Sequence, residues 1–296
     1  MKFDLFKELL VDELRSHYDE GVKYNFNKVT KNNGVTLQAL AIVKEGEVVT
    51  PNIYLDEYYK NYSAGIVTIH DIAERIIQVR EEASLDVMAD FIDSWDDVKD
   101  KVFCKIVNKE KNQEKLEEVP YIDFLDLAII VRVLNKMDED GVASVMVDNI
   151  LLKRWGVTGQ EVIEQAIHNT QVLFPTKVQS MFEIIMQNVG VPEELVEMEE
   201  EETQMHVISN TSGFNGATSM MYKNVLRDTA IDLKVKYFYI LPSSVHECII
   251  VTGCDDVQFM KSIVQQVNRE QVKDVDYLSD SIYRYDLETN ELDIAA

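Results

Sequence analysis

The chain has 296 residues, with 53 acidic side chains against 29 lysines and arginines, and its formal net charge at pH 7 is −24. With 46% hydrophobic and 28% charged residues, it has the composition of a folded globular protein, which excludes wholesale disorder. It shows no signal-peptide pattern and no run of about 18 apolar residues, so we expect a cytoplasmic protein that does not enter a membrane. Three cysteines without a Cys-X-X-Cys pair favour the same reducing compartment.

The acidic excess is spread evenly, since residues 1–150 and residues 151–296 each carry a net charge of −12. A surface of this sign repels phosphate, so direct binding of nucleic acid is not expected. One interpretation is that the charge only keeps the protein soluble. The other is that it attracts a basic protein partner.

We predict that residues 1–117 form an N-terminal α+β region. The first helix has apolar residues at the helical period from Phe3 to Leu14. Asn32-Asn33-Gly34 predicts a hairpin turn, because asparagine and glycine tolerate positive φ. Further predicted elements are a strand near Val48 and Val49, a helix over Ile53–Tyr62 and a long helix from Thr68 to about Ile92.

A fall in hydrophobicity over Lys109–Glu118, followed by Pro120, suggests the boundary between this region and a C-terminal α+β region, residues 118–296. Two strands joined by an acidic turn come next. Thr158 and Glu161 then form a capping box, which predicts the start of a helix. The two strands are Leu125–Leu134 and Ala143–Val147.

The rest of the second region alternates predicted helices and strands. A helical stripe through Val178 follows Pro175, and seven glutamates between residues 192 and 204 predict an exposed linker or solvated helix. The other predicted elements are a strand Met205–Ser209, a helix Gly216–Leu233, strands Tyr237–Leu241 and Glu247–Val251, a helix Asp255–Asn268 and a hairpin of Ser281–Tyr285 with Leu292–Ile294.

Short strands joined mainly by hairpins, with helices between them, predict an α+β fold. We expect mixed, mainly antiparallel sheets packed with helices in two substructures. The chain has neither of the common glycine-rich phosphate loops, so no nucleotide cofactor is expected. No other cofactor is indicated.

The segment around Pro242 carries the residue types of a hydrolase or transferase. Ser243 or Ser244 would be the nucleophile, His246 the general base, and Glu247 a nearby carboxylate. Against this, strand alternation sends His246 and Glu247 to opposite faces, and a serine two residues before a histidine does not easily reach its ring. The other interpretation is a turn whose hydroxyls satisfy backbone N–H groups.

A polar loop between a predicted strand and helix is a candidate anion site, because backbone N–H groups gather at a helix start. Its candidate ligand-binding residues are Asn210, Ser212, Asn215 and Gly216. Tyr58, in a tyrosine-rich helix, is a second candidate binding residue. The spacing of His246, Cys248 and Cys254 matches no usual zinc pattern, so no metal site is expected.

Several runs of the chain resemble an uncharacterised protein family of Firmicutes, filed as a domain of unknown function. Many of its members come from gut clostridial genomes and some from mobile elements. The resemblance covers nearly the whole chain and is densest from Met205 to Leu292. The runs that carry it are IYLDEYYKNYSAG (53–65), GATSMMYKNVLRDTA (216–230), YILPSSVHECIIV (239–251), VNREQV (267–272) and LSDSIYRYD (278–286).

The middle of the chain, from Phe124 to the Thr158 helix, is also similar to a second uncharacterised bacterial family. The two resemblances imply a bacterial cytoplasmic setting and a shared fold, and neither implies a catalytic residue. Our leading hypothesis is therefore that the chain is a non-enzymatic, acidic interaction protein. Since some members of the first family come from mobile elements, the resemblance also implies an association with such an element. The alternative is the hydrolase or transferase, and the oligomeric state is open.

Overall fold

The computed structural model describes residues 2–18, 21–45, 50–82, 92–138, 141–189, 204–242 and 244–296. The chain folds as two compact units, Met1–Ile92 and Asp93–Ala296. Within the described residues, no helix has the length and apolar character needed to cross a membrane. The two units are built from different numbers of sheets.

The first unit has one antiparallel sheet, in which the central strand β2 pairs with β1 and β3, and three helices. The bounds are α1 Phe3–Leu14, β1 Lys23–Thr30, β2 Thr36–Val43, β3 Asn52–Tyr54, α2 Asp56–Ser63 and α3 Ile69–Glu82.

The core of the first unit follows from the apolar spacing of its helices. In α1, Phe6, Leu10 and Leu14 recur every fourth residue and are fully buried. They join one cluster with Ile42 of β2 and Ile76 of α3. Burial of large apolar side chains contributes about 1.5–3 kcal/mol each, so this cluster is the main source of the unit's stability.

The hairpin predicted at Asn32-Asn33-Gly34 is confirmed, since β1 and β2 pair over their whole length. Asn33 and Gly34 have φ values of 59° and 70°, the left-handed conformation that these residue types tolerate. The strand predicted near Val48 and Val49 lies outside the described residues, as do residues 83–91 of the helix predicted to reach about Ile92, and Ile92 itself is in a turn. Where a helix was predicted over Ile53–Tyr62, β3 ends at Tyr54 and α2 begins at Asp56.

The second unit begins with a four-stranded antiparallel sheet centred on β6. One edge of β6 pairs with β4, and the other edge pairs first with β5 and then with β7. The bounds are α4 Trp95–Val98, β4 Val102–Asn108, α5 Gln113–Leu116, β5 Tyr121–Phe124, β6 Leu127–Asp138, β7 Gly141–Met146, α6 Asn149–Trp155 and α7 Gly159–Leu173.

The capping box at the start of α7 is confirmed. The Thr158 hydroxyl accepts from the N–H of Glu161, and the Glu161 carboxylate accepts from the N–H of Thr158. Asn169 then fixes α7 against β4, because its amide donates to the carbonyl of Val102 at 3.0 Å. Helix α7 is therefore capped at its first turn and fixed against β4 along one side.

The second sheet of this unit has six antiparallel strands in the order β13-β12-β10-β11-β9-β8. Helix α10 covers one face of it, where Met260 and Val264 pack with Tyr239 and Val251. The bounds are β8 Thr176–Ser180, α8 Met181–Val189, β9 Gln204–Asn210, α9 Val225–Asp232, β10 Tyr237–Leu241, β11 Cys248–Thr252, α10 Val257–Glu270, β12 Tyr283–Asp286 and β13 Glu291–Ile294.

The α+β class with mainly antiparallel sheets is confirmed. The predicted boundary between residues 117 and 118 falls inside the second unit, because β4 pairs with β6 across it. The glutamate-rich segment near 192–204 lies outside the described residues, apart from Gln204, the first residue of β9.

Two predicted helices have a different form. The stripe after Pro175 is the strand β8 followed by α8. The helix predicted over Gly216–Leu233 is a 3-10 helix, Gly216–Met221, followed by α9. Asn224 has φ 68° before α9, and this left-handed residue breaks the helical path.

One carboxylate links the two sheets of the second unit. Asp126, in the turn between β5 and β6, accepts hydrogen bonds from Ser279 (2.5 Å), Ser281 (3.0 Å) and Tyr283 (2.6 Å). Tyr283 is fully buried, and burial, reinforced by the charge of Asp126, raises the pKa of its phenol well above the ordinary value. The phenol therefore remains a donor at any physiological pH.

Replacement of Asp126 by asparagine should lower the free energy of unfolding by about 1–3 kcal/mol, because the new NH2 group replaces one of the two accepting oxygens and cannot accept from the hydroxyls bonded there. Urea denaturation measures this change. Asp123→Asn is the control, since Asp123 pairs with Lys109 at the surface and should matter much less. Equal losses in the two variants would contradict the linking role of Asp126.

Candidate functional site

His246 lies in the turn between β10 and β11, with both ring nitrogens in contact with polar groups. Nδ1 accepts from the backbone N–H of Asn215 at 3.4 Å, so the proton is assigned to Nε2, which donates to Asp276 Oδ1 at 3.3 Å. In this arrangement neither nitrogen has a lone pair free for a serine hydroxyl. The ring acts as a bridge between two loops.

The other residues of the proposed catalytic set make the contacts of a turn. The Ser244 hydroxyl accepts from the N–H of His246 at 3.0 Å, and the Ser244 N–H donates to the Glu247 carbonyl at 3.3 Å. Glu247 is exposed, and Ser243 lies outside the described residues. The hydrolase or transferase alternative stays a prediction.

The loop from Asn210 to Gly216 uses its own donors. The amide of Asn210 donates to the Phe214 carbonyl, and its Oδ1 accepts from both the N–H and the hydroxyl of Ser212. The N–H of Phe214 donates to Ser212, and that of Asn215 donates to His246. An anion at this loop would need these same N–H groups as donors. Because they already donate within the protein, few backbone donors remain free to bind an anion.

Gly216 sits where this loop touches the His246 turn. A Cβ atom placed there would overlap Ser209 Oγ and the carbonyl oxygen of His246, and would lie 2.8 Å from the N of Asn210. Ser209 Oγ itself donates to that same carbonyl at 2.8 Å. Only glycine permits this approach of two backbones.

Tyr58 belongs to the first unit. There it is partly buried and packs against the cluster of α1, β2 and α3. Asn210, Ser212, Asn215 and Gly216 are brought together with His246 in the second unit, whereas Tyr58 is part of another core.

A different concave site lies in the second unit, between the edge strand β8 and helix α9. We call it the β8–α9 groove; its volume is about 500 Å³. Thr176, Val178 and Ser180 of β8 line it together with His206 of β9, which lies opposite Ser180 in the sheet. A volume of this size is within the range of ligand-binding sites.

Three carboxylates line the same groove. Glu183 comes from α8, and Asp228 and Asp232 come from successive turns of α9. All three side chains are exposed, and no described residue that lines the groove is a lysine or arginine. In the described part of the chain, no ion pair neutralises them. The groove is therefore a concave surface of negative charge.

Two residues that line the groove, Thr176 and His206, each carry a buried polar atom without a partner, and we call these two residues the floor of the groove. Thr176 Oγ1 and His206 Nδ1 are buried, and neither makes a hydrogen bond. Such groups cost about 1–3 kcal/mol each when they are left unpaired. Burial lowers the pKa of His206 below its ordinary value, against an opposing effect of Glu183, so the ring is neutral at pH 7.

The carboxylates and imidazole of the groove do not converge on a point. No group of three or more histidine, cysteine, aspartate or glutamate side chains in the described ranges is arranged to hold a metal ion. The negative charge is instead distributed along α9 and α8. Such a distribution suits an extended organic cation better than a single ion.

The groove was not predicted from the sequence, because the pattern after Pro175 predicted a helix where β8 lies, so the sheet faces of Thr176 and Ser180 were unknown. One signal was present. Asp228 and Asp232 are four residues apart in a predicted helix, which places both carboxylates on one side. The pairing of that side with β8 depends on long-range packing.

The chain was also compared with known proteins. The model of a family of unknown function, DUF5688, matches residues 3–287, nearly the whole chain. No curated protein and no solved structure is significantly similar to the chain.

We predict that Gly216→Ala costs about 3 kcal/mol of unfolding free energy, because the added methyl group overlaps a backbone carbonyl. Gly213→Ala is the matched control in the same loop. Gly213 has φ 72° but open space around the added Cβ, so only about 1 kcal/mol of backbone strain is expected. Thermal or urea unfolding measures both, and equal losses would show that the close approach at Gly216 is unimportant.

Proposed function

Because the chain belongs to that family of unknown function, we propose its function from the described residues. It is a non-enzymatic, acidic binding protein, and its partner is a basic protein. The observation that carries this proposal is the β8–α9 groove, whose rim has Glu183, Asp228 and Asp232 and whose lining, as described, has no basic residue. Such a concave site attracts positively charged groups and repels anions.

The contacts of the residues with catalytic chemistry support a binding role. Both nitrogens of His246 are engaged, and Ser244 accepts from the backbone. Burial raises the pKa of the Cys104 thiol to about 12, and it also raises the pKa of Cys248, so neither is a reactive thiolate at pH 7. These groups make structural contacts or are protonated, so they are not available as a general base or a nucleophile.

The charge of the chain supports a basic partner over a nucleic acid. With a net charge of −24, direct contact with phosphate groups is unfavourable, whereas a protein rich in lysine or arginine gains attraction and a faster encounter. We also propose a cytoplasmic location, because Cys104, Cys248 and Cys254 are free thiols, as a reducing compartment requires.

The proposal predicts that a labelled oligolysine peptide binds the full chain and that the double variant Asp228→Asn with Asp232→Asn binds it about fivefold to tenfold more weakly. Fluorescence anisotropy at low and moderate salt measures the affinity. Binding should weaken with salt in the wild-type protein, because the attraction is between exposed charges.

The control is the double variant Glu288→Gln with Glu291→Gln, which changes the net charge by the same amount. These residues lie at the β12–β13 hairpin, on the opposite edge of the six-stranded sheet. Five strand spacings, about 24 Å, separate that edge from β8. Equal weakening in both double variants would show that the effect depends only on net charge and not on the groove. Absence of binding to the wild-type chain would overturn the proposed function.

A further inference from the structure

We infer that the β8–α9 groove binds a lysine side chain of the partner, with the ammonium group at the groove floor. This inference rests on the proposed function and adds the identity of the group that enters. It follows from four features of the groove: its apolar walls, its carboxylate rim, its unpaired floor atoms and the absence of phenylalanine, tyrosine and tryptophan from its described lining.

The apolar walls suit the stem of a lysine. Val178 of β8, Val225 of α9 and Leu233 just after α9 line the groove between its polar groups. A lysine carries four methylene groups, which gain by contact with such side chains while the charged head remains with polar partners. A small inorganic cation would leave these apolar walls without contacts.

The floor atoms suit the head of a lysine. An ammonium group has three donors and no acceptor, Thr176 Oγ1 can accept, and Nδ1 of neutral His206 can accept when the ring proton is on Nε2; neither atom has a partner. Because both atoms are buried in the free protein, the inference requires a rotamer change that turns each of them towards the ligand, and such side-chain changes are common at binding sites. Glu183 supplies a nearby negative charge for the third donor.

The groove offers little of what would favour arginine. A guanidinium gains most from a bidentate carboxylate or from stacking on an aromatic ring. Apart from the imidazole of His206, none of the described lining residues has an aromatic ring, and the three carboxylates come from separate positions, Glu183 on α8 and Asp228 and Asp232 on α9. A compact ammonium can use such dispersed acceptors one at a time.

A peptide series tests the identity of the entering group. Four labelled peptides of one sequence carry lysine, arginine, acetyl-lysine or norleucine at the same positions, and their affinities for the full chain are measured by anisotropy. Lysine should bind about fivefold more tightly than arginine and at least about tenfold more tightly than the two uncharged residues. Arginine binding as tightly as lysine would overturn the inference, as would binding of the norleucine peptide at lysine affinity.

Thr176→Val tests the floor contact, because valine has the shape of threonine without its hydroxyl. It should weaken lysine binding about threefold without lowering stability, since the removed hydroxyl has no partner in the free protein. Thr218→Val is the matched control. Thr218 also has a buried, unpartnered hydroxyl but does not line the groove, so lysine binding should not change.

The outcomes separate the two levels of the proposal. If oligolysine binding depends on Asp228 and Asp232 but Thr176→Val has no effect, or arginine binds as well as lysine, the insertion of lysine is wrong and the basic partner stands. If oligolysine does not bind the wild-type chain at all, both fall. If Thr176→Val and Thr218→Val weaken binding equally, the effect is not local to the groove and the floor contact is overturned.

Discussion

The second unit depends on a carboxylate that joins two sheets which share no strand pairing in the described part of the chain. Asp126 accepts three hydroxyl groups from Ser279, Ser281 and Tyr283, at 2.5 to 3.0 Å. A carboxylate removed from water is costly unless donors surround it, and charge-assisted bonds are stronger than neutral ones. Asn108 adds a second link by donating to the carbonyl of Leu278 at 2.8 Å.

This joint and the groove lie towards opposite edges of the six-stranded sheet. Tyr283 ties β12 to the four-stranded sheet, and at the edge of the six-stranded sheet that lies furthest from β13, no strand of the described residues pairs with the outer side of β8. The segment before α9 is attached to the chain just before β8, because the Tyr222 hydroxyl donates to the carbonyl of Phe174 at 3.1 Å. This contact holds the edge strand β8 and helix α9 near each other, with the groove between them.

Local patterns predicted the elements whose causes are local. The Asn33-Gly34 turn, the Thr158 capping box and the hairpin of β12 with β13 all depend on neighbours within a few residues. The joint at Asp126 could not be predicted, because Ser279 lies 153 residues further along the chain. The same limit hid the groove, since Asp228 and Asp232 acquire a role only when α9 is placed beside β8.

The net charge of −24 has a different meaning once these contacts are known. Some acidic side chains serve the fold: Asp126 joins sheets, Glu161 caps a helix and Asp276 holds His246. Others, such as Asp123, form surface ion pairs that contribute little. The carboxylates at the groove belong to neither group, because no ion pair of the described residues uses them and they surround a concave surface. Placement relative to unpaired floor atoms, more than the total charge, is therefore what favours a specific cationic ligand.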